Sequence, residues 1–172
     1  LKDVKKQIKN SLKRLKTDYI DIIKFHSPSS LHEVKKSLSY LRFLKKKKII
    51  RSIGVSLKNP LDYKKFSKLN FDFYQLNFNL IDQRALNLKK KNKENFIART
   101  IFNFGFLTEE VLKRKNLKFD KYDHRSLWSK EQLLLWYKHS EIISKKFVSK
   151  DSNIKELSCR FVFSLKSMNY AV

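Results

Sequence analysis

Apolar residues recur at helical spacing over residues 2–15, where Val4, Ile8, Leu12 and Leu15 are separated by lysines, which predicts an amphipathic helix. A run rich in Ile, Tyr and Phe follows over 19–26 and stops at His26-Ser27-Pro28. A buried strand looks this way when it delivers a polar side chain to its C-terminal end. Residues 31–46 return to helical spacing through Leu31, Val34, Leu38 and Leu41, with Ser30 as a candidate N-cap. The lysines 45–48 then suit the negative end of the helix dipole. A second strand is predicted over 49–56, ending in Ser56, and a third over 71–78, ending in amides. A short helix through Tyr63, Phe66 and Leu69 lies between them. Beyond these, the pattern predicts a helix near 82–93, a fourth strand starting at Phe96 and a short helix near 108–115. A loop containing Asp123-His124-Arg125 follows, then helices over about 130–147 and 152–165. Tyr170-Ala171-Val172 begins one more strand.

Strands alternating with helices through short connections argue for a parallel sheet. An open doubly wound sheet usually carries a glycine-rich phosphate loop after a strand. This chain has two glycines, Gly54 and Gly105, and no G-x-G. Apolar strands that end in polar residues, with helices between them, are what an α/β barrel with its site at one rim requires. The expected fold is therefore a (β/α)8 barrel segment, incomplete, with about four to five parallel strands and flanking helices, spanning 1–172 as a single unit.

Composition narrows the picture. A chain of 172 residues, 41% hydrophobic, suits one globular domain. No stretch is long and apolar enough to cross a bilayer, and no secretory signal opens the chain. The single cysteine, Cys159, excludes an internal disulfide and fits a reducing compartment, so a cytoplasmic location is expected. The first residue is Leu1 rather than Met, which suggests a piece of a longer product or a processed one. The net charge of +24 points, taken alone, to a polyanion partner. However, the lysines are spread along every helix, and the richness in Lys, Asn, Ile and Phe is what A/T-biased codons produce. A solvated lysine coat is the expectation, and nucleic acid is not the expected partner.

Five motifs in order resemble those of the aldo-keto reductases. Ser11-Leu12-Lys13-Arg14-Leu15-Lys16-Thr17-Asp18-Tyr19-Ile20-Asp21 followed by His26-Ser27-Pro28 is the first, and Ile50-Arg51-Ser52-Ile53-Gly54-Val55-Ser56 the second. Gln75-Leu76-Asn77-Phe78-Asn79-Leu80-Ile81-Asp82 is the third. Ile97-Ala98-Arg99-Thr100 with Gly105-Phe106-Leu107-Thr108, and then Asp123-His124-Arg125, complete the set. The resemblance implies a barrel that transfers hydride from a nicotinamide cofactor, NADP(H) foremost and NAD(H) as the alternative, to the carbonyl carbon of a small aldehyde or ketone. It also implies that this segment runs from the third helix to the start of the eighth strand. The family's tyrosine, lysine and aspartate would then lie upstream of the matched stretch.

The resemblance assigns roles to single residues. His26 matches the histidine beside the carbonyl oxygen, where a fixed imidazole N–H can stabilise growing negative charge or orient the substrate. Its alternative is a histidine that merely ends a strand. Ser56 and Gln75 match the residues that hydrogen-bond the nicotinamide carboxamide, and a hydroxyl with an amide can read both ends of that group. Leu57 stands where many members have asparagine. Arg99 matches an often aromatic position under the nicotinamide ring, and its planar guanidinium can stack or pair with phosphate. Thr100 and Phe102 lie in the stretch that wraps the pyrophosphate in relatives. Lys24 shares a strand face with His26 where relatives are aliphatic. For Asp123-His124-Arg125 a loop tether through Arg125 is expected rather than a metal site, and Cys159 reads as packing.

Two rival readings accompany the oxidoreductase: a non-catalytic barrel-derived protein that binds a cofactor or partner, and a basic adaptor for a polyanion. An incomplete barrel leaves two open strand edges. The isolated 172-residue chain is therefore expected to be marginally stable or prone to aggregate, and a sharp two-state melt from a monomer would contradict this.

Overall fold

The computed structural model describes residues 2–91, 93–114 and 116–172. Helix α1 (Lys2–Leu15) leads into strand β1 (Ile20–His26), then α2 (Leu31–Lys46) and β2 (Ile50–Leu57). A helical segment follows, with α3 (Tyr63–Phe66) between two 3-10 turns, before β3 (Phe73–Asn77) and β4 (Asn95–Arg99). Then come α4 (Glu109–Leu112), α5 (Lys130–Phe147), α6 (Ile154–Ser164) and β5 (Met168–Ala171). The strands form one parallel sheet in the order β1-β2-β3-β4-β5, flanked by helices, as the alternation predicts. The chain divides into two compact units, Leu1–Leu76 with Asn87–Ile97, and Asn77–Leu86 with Ala98–Val172.

In the first unit, α2 lays Val34, Leu38, Leu41 and Leu44 against β2, whose Ile53, Val55 and Leu57 are buried. Each such side chain contributes about 1.5–3 kcal/mol when fully removed from water. Ser30 caps α2 by accepting from the Glu33 amide, while the Glu33 carboxylate accepts from the Ser29 amide. In α1 only Ile8 of the apolar stripe is fully buried, and Leu15 is 65% exposed.

Asp72, just before β3, ties three elements together. Its carboxylate accepts from Lys45 Nζ at the end of α2, at 2.6 and 2.7 Å, and from the Ile53 amide in β2, at 2.8 Å. Beside it, Tyr63, Tyr74 and Phe96 meet edge to face, with centroids 5.0 to 6.3 Å apart. The Tyr63 hydroxyl donates to Oε1 of the buried Glu94, and the Lys91 amide donates to the Tyr63 hydroxyl oxygen and to that same Oε1, each at 2.9 Å. Burial, chiefly, and the Glu94 hydrogen bond raise the Tyr63 hydroxyl above its ordinary range, while burial pushes Tyr74 up to about 12.

The second unit packs Phe106, Val111 and Leu133 with Leu117, Phe119, Trp128, Trp136 and Tyr137. Ser129 and Asn153 cap α5 and α6 by accepting from the Gln132 and Glu156 amides.

The helix predicted near 82–93 does not form. Asn79 Oδ1 accepts from the Ile81 and Asp82 amides at 2.9 and 2.8 Å, and Asp82 pairs with Arg84 at 2.7 Å. Residues 84–87 form a turn, and Lys91 is held by Tyr63 and Glu94 instead of a helical carbonyl. Side-chain bonds to the backbone outcompete the helix here. Residues 92 and 115, inside two of the predicted helices, lie outside the described residues.

Glu94 is only 6% exposed, so Tyr63→Phe would leave a buried carboxylate oxygen without its hydroxyl partner. The expected cost is about 1–3 kcal/mol, read as a lowered urea midpoint at unchanged slope. No loss of stability would show that the partners left to Glu94 satisfy it without the Tyr63 hydroxyl.

Candidate active site

In the first unit, the register of the parallel strands lines up three of the expected site residues. His26 in β1 is the Cα partner of Ser56 in β2, and Ser56 is the partner of Gln75 in β3. An imidazole, a hydroxyl and a primary amide therefore stand in one row across three adjacent strands. Ser56 is 1% exposed and Gln75 8%, while His26 is exposed. The row stops the strand abruptly. Ser27 turns to φ 50° and its amide donates to the Ser56 carbonyl at 2.8 Å.

Strand alternation sets the next row. Lys24, Gly54 and Phe73 are partners two residues earlier, on the same face as His26, Ser56 and Gln75. A Cβ on Gly54 would lie 3.0 Å from the Phe73 carbonyl oxygen and 3.1 Å from Lys24 Cγ, so glycine leaves the room that the lysine stem occupies. Leu57 alternates to the opposite face and is 2% exposed. It belongs to the apolar layer, and no second amide stands beside Ser56 at that position.

Arg99, Thr100 and Phe102 lie in the second unit, at the end of β4 and in the turn that follows. Arg99 Nε donates to Asn77 Oδ1 at 2.6 Å, and burial lowers the guanidinium from its usual value. Thr100 adopts φ 58°, a costly conformation for a β-branched residue. Its carbonyl accepts from the Asn79 side-chain amide at 2.9 Å and from the Asn103 amide at 2.7 Å. The Phe102 carbonyl accepts from the Gly105 and Leu107 amides at 2.9 and 3.0 Å. Asn103, Phe104 and Gly105 also have positive φ, at 44°, 57° and 92°.

Two side chains hold this strained turn. Asn79, 1% exposed, uses its oxygen on its own loop and its nitrogen on Thr100. Arg125 Nη1 donates to the Phe104 carbonyl at 3.1 Å, while its other nitrogens bind Asp123 at 2.6 to 3.1 Å and its plane lies 4.2 Å over Phe119. The Arg125 guanidinium holds the Asp123 carboxyl well below the usual carboxylate range. The loop tether expected of Arg125 is thus present.

A cleft of about 440 Å³ opens within this unit, lined among others by Asn77, Arg84, Thr100, Asn103, Phe104 and Trp136. Asn103 is 2% exposed, and its side-chain nitrogen is buried with no hydrogen-bond partner among the described residues. Neither Asn79 nor Asn103 follows from periodicity. The spacing Asn77-x-Asn79 after a buried strand was the available signal, since it places two amides where the strand ends.

A parallel sheet whose strands alternate with flanking helices defines an α/β barrel segment. The family model for the aldo/keto reductase family matches residues 2–170, and the chain belongs to that family. It is 32% identical over 113 residues to the uncharacterized oxidoreductase YqkF of Bacillus subtilis (strain 168), an alignment covering 63% of this chain and 37% of that protein. Among solved structures, a glycerol dehydrogenase of Gluconobacter oxydans superposes with a TM-score of 0.75 at 21% identity, over 98% of this chain and 53% of that one. The apo form of an aldo-keto reductase of Bacillus halodurans gives 0.71 at 20% identity, over 98% and 56%. At such identities the likeness shows the fold alone. The chain spans about half the length of these solved structures and little more than a third of the curated relative.

Gly105 is the position where the turn tolerates least. Its φ is +92°, and an added Cβ would come within 2.9 Å of Arg125 Nη1. Gly105→Ala is expected to cost about 1–3 kcal/mol and to disturb Trp128 and Trp136 fluorescence. An unchanged urea midpoint and spectrum would show that the tether is dispensable.

Proposed function

We propose that this protein is an oxidoreductase that reduces the carbonyl group of a small aldehyde or ketone with a nicotinamide cofactor, NADP(H) in preference to NAD(H). The observation that carries this reading is the row His26, Ser56 and Gln75, three polar groups of different hydrogen-bonding character in register on adjacent strands. Bound cofactor would supply the hydride. Ser56 and Gln75 are nearly fully buried, so their polar atoms suit an amide ligand: the hydroxyl can donate or accept, and the Gln75 amide can do both at once. Together they would fix which face of the nicotinamide ring meets the substrate.

His26 would stand beside the substrate oxygen. An imidazole N–H aimed at that oxygen would stabilise negative charge as it develops. Arg99, held by Asn77, would lie along the cofactor, and the turn at Thr100 and Phe102 would follow its pyrophosphate. The unpartnered Asn103 nitrogen in that turn supports the same assignment, because a buried donor lacks only an acceptor oxygen.

The test is fluorescence titration of NADPH and NADH against the protein, followed by turnover with a panel of aldehydes and ketones. Gln75→Ala should weaken cofactor binding about tenfold through loss of its hydrogen bonds. His26→Ala should lower kcat about a hundredfold while leaving cofactor affinity within about twofold. Cofactor binding without turnover in the wild type would favour a non-catalytic cofactor-binding protein, and no binding would defeat the reading.

A further inference from the structure

The lysines scattered along the sequence are gathered by the topology of the first unit. Strands β1, β2 and β4 run parallel, so the segments that precede them reach one and the same edge of the sheet. Before β1 stand Lys13, Arg14 and Lys16, before β2 the lysines 45–48, and before β4 the lysines 89–91 and 93. The opposite edge of this unit, at 27–30 and 58–62, carries Lys58 as its one cation against Asp62. The segments that follow His26 and Ser56 therefore carry little charge, while the other edge is basic even with Asp18 and Asp72 counted against its lysines.

Two features distinguish the partner this edge fits. Its arginines are largely committed. Arg51 pairs with Asp21 at 2.8 Å and lies 4.0 Å over Tyr19, and Arg42 donates to the Leu69 carbonyl at 2.8 Å. Reading phosphates in nucleic acid favours free arginine forks and stacking rings. Lys45 is likewise committed to Asp72, and what remains, apart from Arg14, are exposed lysine ammonium groups, which act as point charges towards a diffuse anionic surface. In addition, Leu15 and Phe43, 65% and 52% exposed, sit inside the basic segments at the ends of α1 and α2. Apolar side chains among lysines add insertion at the acyl boundary to attraction by anionic headgroups.

We propose that this basic edge docks the protein on an anionic phospholipid surface, with His26, Ser56 and Gln75 at the opposite edge of the same unit. The mode is peripheral: among the described residues no helix is long and apolar enough to cross a membrane.

The experiment is co-sedimentation of the protein with phosphatidylcholine vesicles, with and without phosphatidylserine, at increasing salt. Binding is expected only with phosphatidylserine and should fall as salt rises. Each lysine near such a surface is worth about fivefold, so Lys46→Glu, Lys47→Glu and Lys48→Glu combined should weaken binding more than about a hundredfold. Leu15→Ser with Phe43→Ser alters only exposed side chains and should weaken binding at fixed charge. An equal charge change elsewhere, Lys138→Glu, Lys146→Glu and Lys150→Glu, should cost far less. Far-UV circular dichroism and urea midpoints verify that each variant is folded. The proposal is overturned by equal retention on neutral vesicles, or by equal loss in the two triple variants. It is also overturned by tighter, lysine 46–48-dependent binding to a short nucleic-acid duplex, which would make nucleic acid the partner.

Discussion

Parallel pairing with a side-chain period of two is the constraint on which the rest depends. Once His26, Ser56 and Gln75 share a register row, Lys24, Gly54 and Phe73 must share the row before it. Phe25, Val55, Leu57, Tyr74 and Leu76 are sent to the opposite face. The helices can cover that second face only if it is apolar, and Val55, Leu57, Tyr74 and Leu76 are almost completely buried. A slip by one residue in any strand would exchange the two faces, setting polar side chains against the helices and apolar ones where His26, Ser56 and Gln75 now stand.

Much of this was legible in the chain. Helices α2 and α5 begin and end where the sequence places them, because each starts at a serine cap, and α2 also buries one apolar face. The strands lie within two residues of their expected positions. Less was legible where polar side chains decide the backbone. Residues 82–93 have the composition of a helix, but Asn79, Asp82, Tyr63 and Glu94 capture the amides that a helix would use. Nothing in the order of residues says which asparagine will turn inward. The positive φ of Thr100 was equally hidden, since a β-branched residue is the last choice for that conformation.

The turn after β4 shows how such a conformation persists. Four of the six residues 100–105 have positive φ, and the strain is offset by bonds that converge from Asn79 and Arg125. Arg125 acts on the Phe104 carbonyl while Asp123 and Phe119 hold the guanidinium in place. The first unit stabilises its loops differently, with the Asp72 carboxylate bridging Lys45 and the β2 backbone. In each unit one well-anchored charged group ties together stretches of chain that are distant in sequence.

Gly54 and Lys24 occupy what is in effect a single volume, because the lysine stem fills space that any side chain on the neighbouring strand would claim. Neither position is therefore free to drift by itself. A methyl group at 54 would press on the Phe73 backbone as well as on the lysine stem, so among homologous chains a bulky residue at 24 should be found only beside glycine at 54.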